Sequence, residues 1–214
     1  MGFLTARMTI LKKTSLLIMI ASVLVLWGCS DSTPHSTGSS GSQPKTNQFE
    51  TGRFALQKMI PAARFWAPDA QPVQLTSTAT GDSNGQHGKA ILWRATFGSR
   101  TRLKSEPFTW SGMADASRGV DHGVEDTFNP ANRTTQLWDL NFLKVDTDQA
   151  FDVAQQHGGA QLLEKDPKLP VTYFLDFDAY ANQLRWHVIY GNNESKDRLT
   201  VQVDATTGQF LRKE

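Results

Sequence analysis

The chain has 214 residues, of which 39% are hydrophobic and 20% charged, with a formal net charge of +1. That length suits one sizeable domain or two small ones, and the composition is neither disordered nor fibrous. Residues 1–28 hold Arg7, Lys12 and Lys13 and no acid, so the remainder carries −2, which leaves no electrostatic footprint for nucleic acid. The single cysteine, Cys29, excludes a disulfide within the chain.

The three N-terminal cations precede an apolar run, Leu16–Leu26, that is short for a bilayer-spanning helix and has the layout of a secretory signal. The following Leu26-Trp27-Gly28-Cys29-Ser30 resembles the lipobox of bacterial lipoproteins. That resemblance implies a signal peptide over 1–28, acylation of Cys29, and attachment to the lipid bilayer of the cell envelope. Ser30 after the cysteine points by the same resemblance to the outer membrane facing the periplasm. The alternative is an ordinary cleaved signal with an incidental cysteine, and Met8 is an alternative start. Residues 29–49 are expected to be a lipidated flexible tether. Ser30 to Gln48 is rich in Ser, Thr, Gly and Pro without apolar periodicity, and such a coil reaches about 25 Å.

A first unit spans 50–112. Ala55, Met59, Ala62, Ala63 and Trp66 have helical spacing, and Pro61 is expected to break or kink the helix. Val73, Leu75 and Ser77 alternate with polar residues as in a half-buried strand. The loop Gly81–Gly88 ends in Gly88-Lys89 but lacks the groups of a phosphate loop: Ser83 stands where Gly is needed, and Ala90 where Ser or Thr would hold magnesium. A hairpin connection is the reading. Ile91, Trp93, Ala95 and Phe97 mark the next strand face, Phe108 and Trp110 the one after. Arg100, Arg102 and Lys104 in the hairpin between them are expected to be solvated.

Residues 113–145 read as a connector. Asp121-His122-Gly123-Val124-Glu125-Asp126 is too sparse in nitrogen and regularly spaced oxygen ligands to be a metal site, and a solvated loop is expected. Trp138, Leu140, Phe142 and Val145 resume an apolar pattern leading to the second helix.

The second unit, 146–214, opens with capping residues Asp146-Thr147-Asp148. A helix follows through Ala150, Val153, Ala154 and His157, expected to end at Gly158-Gly159. Three strands are then marked by Val171, Tyr173, Leu175 and Phe177; by Leu184, Trp186, Val188 and Tyr190; and by Leu199, Val201 and Val203. Trp186-His-Val-Ile-Tyr190-Gly191 echoes Trp93-Arg-Ala-Thr-Phe97-Gly98 at an offset of 93 residues, and the same offset lays Val201 on Phe108 and Val203 on Trp110. This pattern implies a duplicated small α+β unit.

Ala150 with Ala154, the strand ending Tyr190-Gly191, and Val203-Asp204-Ala205-Thr206-Thr207-Gly208-Gln-Phe resemble a PepSY-type domain over 146–212. The first unit keeps the strands but has Trp110-Ser111-Gly112 in place of the closing motif. The implied fold class is α+β, two related helix-on-antiparallel-sheet (PepSY/cystatin-like) units in tandem, the N-terminal copy degenerate. Trp93, Phe97, Gly98, Trp186, Tyr190, Gly191, Asp204 and Gly208 are its fold markers. Gly208 is expected to take a positive φ, and Asp204 to accept backbone hydrogen bonds.

For chemistry, no Gly-x-Ser-x-Gly elbow and no His-Glu-x-x-His occurs, and acylation would consume the one thiol. His187 is expected on the sheet face opposite Trp186, and Asp176 and Asp178 about 7 Å apart on one strand face as solvated acids. No catalytic, cofactor or metal site is expected. The duplicated sheet, the tether and the missing catalytic set point to a non-catalytic envelope protein that binds a peptide or protein partner, and the family resemblance implies peptidases among such partners. The alternatives are a structural or chaperone-like assembly factor and, behind it, a hydrolase using His187 or Asp176.

Overall fold

The computed structural model describes residues 46–192 and 198–214, so the expected signal segment, Cys29 and most of the tether lie outside the described residues. β1 (Glu50–Thr51) leads into α1 (Gly52–Trp66), then β2 (Gln71–Thr78), β3 (Lys89–Ala90), β4 (Leu92–Ser99), β5 (Lys104–Ser111), β6 (Gly119–His122) and β7 (Asp126–Thr127). Further on, α2 (Thr147–Ala154) is followed, across a kink at His157 and Gly158, by α3 (Ala160–Lys165). The chain closes with β8 (Val171–Asp178), β9 (Gln183–Tyr190), β10 (Leu199–Asp204) and β11 (Phe210–Lys213).

The fold is α+β. One large antiparallel sheet has the order β11-β10-β9-β8-β2-β4-β5-β6, with β7 also on β5, while β1 pairs with β3 apart from it. Period-two alternation decides which face is covered. In β9, Leu184, Trp186, Val188 and Tyr190 are buried, whereas Gln183, Arg185, His187 and Ile189 face the other way. The apolar face meets Ala55, Leu56, Met59 and Ala63 of α1 and Ala150, Phe151 and Ala154 of α2 in a single core. No helix of the described residues is long and apolar enough to cross a membrane.

The sheet has a seam at its middle. β2 and β8 share a ladder only at Leu75↔Leu175 and Thr76↔Phe174. Past one end of this ladder Trp138 donates its backbone N–H to Pro72 O and its indole N–H to Val73 O, both at 3.0 Å. Past the other, Tyr173 N–H donates to Ser77 Oγ (2.9 Å) and Val171 N–H to Asn84 O (2.7 Å). The Tyr173 hydroxyl donates to Gly85 O (2.7 Å) and accepts from Gly88 N–H (3.0 Å). Side chains and a loop thus satisfy backbone groups that a longer ladder would have paired.

Above the seam, the N-termini of α1 and α2 meet. Asp146 caps its own helix through Thr147 N–H (2.7 Å), in a capping box with Gln149. The same carboxylate accepts from Arg53 N–H (2.9 Å) and from the Thr51 hydroxyl (2.6 Å). Thr147 Oγ1 accepts from Gly52 N–H at 3.0 Å. Thr51, the formal N-cap of α1, makes no cap bond itself, so α1 is capped from the other half of the chain. Gly52 has no room for a side chain: a Cβ there would lie 2.8 Å from Trp186 Cη2 and 3.1 Å from Trp93 Cζ3.

Several expectations are corrected. α1 runs unbroken through Pro61; the carbonyl this leaves without a donor belongs to Gln57, which is exposed to water, while Met59 and Ala63 hold the helix to the sheet. By contrast, the helix end expected at Gly158-Gly159 is there: His157 and Gly158 (φ 119°) leave helical geometry, and α3 starts beyond the kink. Gly159 lies against the Tyr190 hydroxyl, where a Cβ would sit 2.2 Å away. The boundary at 112 also falls too early: β6 and β7, in the supposed connector, pair with β5.

Replacing Asp146 removes a cap from two helices, so Asp146→Ala is expected to destabilise by about 2–4 kcal/mol, at about 1–2 kcal/mol per cap. Asp139→Ala, which removes one bond to Asn141 N–H at a short 3-10 turn, should cost about 1 kcal/mol or less. Urea unfolding of both variants checks the contrast.

Candidate functional site

The sheet face away from the helices is largely uncovered, and its chemistry comes from the outward residues of β8 and β9. Register places Asp176 opposite Arg185 and Phe174 opposite His187. Arg185 holds Asp176 with Nε–Oδ1 at 3.0 Å and Nη2–Oδ2 at 3.2 Å, and reaches Asp178 Oδ2 with Nη1 at 2.6 Å. His187 Nε2 lies 2.9 Å from Asp176 Oδ1. Burial alone would push the Asp176 carboxyl up, but hydrogen bonds from His187 and Arg185 outweigh it and hold the group below its ordinary value. Asp178 also sits low, mainly through the Ala181 N–H, and Arg185 is pushed up by its bond to Asp176.

These are not the solvated acids expected at a hairpin end. The two carboxylates clamp one guanidinium, and the imidazole leans on the same oxygen. Alternation alone puts Asp176, Arg185 and His187 on one face; the pairing needs the β8–β9 register, which has no sequence marker.

Beside this cluster the seam opens into a polar cleft of about 990 Å³. Loop residues from Ala79 to Asn84 form one wall, and Lys168, Thr172, Ile189 and Arg198 contribute to the other. The Thr80 and Ser83 hydroxyls in its wall are buried and bond to no other group of the chain, an uncommon state for buried polar atoms. Both halves of the chain contribute, so the cleft exists only where they join. Residues on either side of the junction give no sequence sign of it.

The fold markers fall as follows. Trp93 and Trp186 are both fully buried, in β4 and β9. Each indole N–H donates at 2.9 Å to the carbonyl two residues before a helix, Glu50 O ahead of α1 and Val145 O ahead of α2. Phe97 packs edge-on against Phe108, whereas Tyr190 stacks on Phe151 and accepts from Gln155 Nε2 at 2.6 Å. Gly98 and Gly191 differ: Gly191 takes φ 82° beyond its strand, while Gly98 stays in β4 and gives way to Leu137, whose Cδ2 would lie 2.8 Å from a Cβ. Asp204 Oδ1 accepts from Thr206 N–H (2.7 Å) and Thr207 N–H (2.9 Å), and Gly208 turns the chain at φ 78°.

The Asp121–Asp126 residues point to different partners. His122 Nδ1 lies 2.6 Å from Oε1 of Glu106, a buried carboxylate that sequence reading passed over. Glu125 accepts from Trp66 Nε1 at 2.6 Å and pairs with Arg102. Arg102 is therefore engaged, contrary to the solvated hairpin expected. Among the described residues no group of three or more His, Cys, Asp or Glu side chains could hold a metal ion.

No protein-family model matches the chain, a PepSY-type one included, and no curated protein matches it. Among solved structures it is similar to the crystal structure of a candidate lipoprotein (CD1622) from Clostridium difficile 630. The TM-score is 0.51 at 14% identity, over 81% of this chain and 95% of that one. At that identity the likeness is one of fold.

Because the folded-state pKa of Asp176 is depressed, its stabilising effect is complete above the unfolded carboxylate value of about 3.9 and is lost as pH falls below it. Asp176→Asn should therefore narrow the drop in melting temperature between pH 5 and pH 3 relative to the parent chain. An unchanged acid slope would show that Arg185 and His187 do not stabilise the ionised carboxylate.

Proposed function

We propose that this protein is a non-catalytic lipoprotein of the bacterial cell envelope, held to the membrane through acylated Cys29, whose folded part binds a peptide or protein partner. The carrying observation is the polar cleft at the seam, built jointly by the two halves on the uncovered face of the sheet. Ligands settle preferentially at such junctions, where polar groups from separate elements converge. Peptidases are one partner class compatible with an extended segment lying there.

The attachment reading rests on the lipobox-like Leu26-Trp27-Gly28-Cys29-Ser30, and the fold neighbour's being a candidate lipoprotein agrees with it. By the same reading Ser30 favours the outer membrane facing the periplasm.

Two features support a pair of related PepSY/cystatin-like units. From the seam, β2, β4, β5 and β6 succeed one another outward on one side as β8, β9, β10 and β11 do on the other. At the offset of 93 residues, the pair Trp93↔Trp110 has its counterpart in Trp186↔Val203. The free edges themselves suit strand addition less well than the cleft does. β6 is short, and β11 carries Arg212 and Lys213, residues that discourage edge pairing. The clamp of Asp176 and Asp178 on Arg185 leaves neither carboxylate poised as a free acid or base, which favours a binder over a hydrolase.

A photo-crosslinking residue at Lys168 or Thr172, introduced in growing cells, should capture one common partner that the same residue at Lys58 on α1 does not. No capture from either cleft position, or turnover of a peptidase substrate by the purified chain, would sink the reading. Labelled fatty acid should enter the parent chain and be absent from Cys29→Ser.

A further inference from the structure

We infer that the end of the sheet formed by the β4–β5 hairpin is a second membrane contact, where Phe65, Leu103 and Val124 enter the headgroup region of a lipid bilayer. These three large apolar side chains are 94%, 52% and 86% exposed. They come from three different segments: the last turn of α1, the β4–β5 hairpin and the turn between β6 and β7. Each is the chain neighbour of a residue in one compact knot. Trp66 Nε1 donates to Glu125 Oε1 at 2.6 Å, Arg102 Nη2 pairs with the same oxygen at 2.5 Å, and Arg102 Nη1 donates to Trp66 O at 2.9 Å. The guanidinium also lies over the Trp66 ring, 4.9 Å from its centre. Leu103 is further fixed by Phe128 N–H on its carbonyl (3.0 Å), in a positive-φ conformation (52°).

A fixed set of exposed apolar side chains on adjacent turns is an interaction surface. These residues stand on turns, and none of them lines the seam cleft. Around them Arg64 and Arg100 are exposed and Lys104 is half-buried, cations whose long stems can reach lipid phosphates. The nearby acids are partly occupied: Glu125 by the knot, Asp69 by the Ser99 and Thr101 hydroxyls, and the exposed Asp126 by the N–H of Thr127.

A bilayer is the occupant that chain length favours. Gln48 N–H bonds Gly112 O at 2.8 Å, so the chain leaves towards Cys29 at the far end of β5, about 25 Å from the hairpin at about 3.3 Å per residue. The 16 residues between Cys29 and Thr46, read from composition as a coil, reach about 20–25 Å. That lets the folded part lie along the membrane holding its anchor. The choice of lipid rests on the attachment proposed for Cys29; the apolar surface itself does not.

The test uses the mature chain carrying Cys29→Ser, so that no acyl chain contributes, with vesicles of phosphatidylethanolamine and phosphatidylglycerol. Co-sedimentation is expected to be saturable, and the combined Phe65→Ser, Leu103→Ser and Val124→Ser changes should weaken it by at least about tenfold with an unchanged melting temperature. Tyr180→Ser with Phe210→Ser, exposed apolar residues elsewhere, should bind like the parent. Absence of vesicle binding by the parent, equal binding by the triple variant, or loss of self-association in place of vesicle binding would each overturn the proposal. Vesicle binding retained by a chain that takes up no labelled fatty acid in cells would instead count against the Cys29 attachment alone.

Discussion

The carboxylate of Asp146 begins two helices. It closes the first turn of α2 and reaches Arg53 N–H in the first turn of α1, from a point more than ninety residues later in the chain. The first-turn amides of both helix starts, each carrying partial positive charge, are gathered on one anion and the neighbouring Thr147 hydroxyl. Gly52 makes this meeting sterically possible, since its missing side chain is what lets Trp93, Trp186 and Thr147 converge. Each indole bonds the carbonyl ahead of the helix in its own half, Glu50 O for Trp93 and Val145 O for Trp186, so Asp146, Thr147 and Gly52 are what join the two half-cores at one point.

The seam below has a complementary logic. A two-rung ladder is a thin connection between two halves of a sheet, and it persists because backbone groups beyond it are met by Trp138 at one end and by Ser77, Asn84, Gly85 and Gly88 at the other. Parting of β2 and β8 at the latter end produces the cleft. The same departure from regular pairing that needs extra hydrogen bonds for stability therefore creates a concave surface on an otherwise open face. Next to it, the two carboxylates of β8 are both held on Arg185 of β9, so that face presents polar groups already engaged with one another.

Legibility in the sequence followed the range of the interaction. The strands around Leu75, Trp93, Leu175 and Trp186 could be read because burial on one face imposes period two on neighbouring residues. The capping role of Asp146 in α2 could be read because cap and helix are adjacent. Pro61 misled, since propensity is a local quantity and Met59 and Ala63, packed on the sheet, override it. Gly158-Gly159 could be read as a helix end because a positive φ is a local matter, whereas the passage of Gly159 past Tyr190, a contact between residues far apart in the chain, could not. The acids Asp176 and Asp178, and the hairpin cation Arg102, read as solvated because their partners are fixed by register and loop packing.

By itself the sequence determined the lack of any intrachain disulfide, the signal-like layout of its first residues, the alternating strands, and the spacing that lays Trp186 on Trp93. All of these follow from composition or from forces acting over a few residues. Tertiary structure alone decided that the two halves share one sheet, that Asp146 serves both helices, that Trp138 lies against the edge of β2, and that a cleft opens between halves. Those outcomes depend on which distant backbone groups come within hydrogen-bonding reach after the core has formed, and no local pattern of side chains encodes that choice.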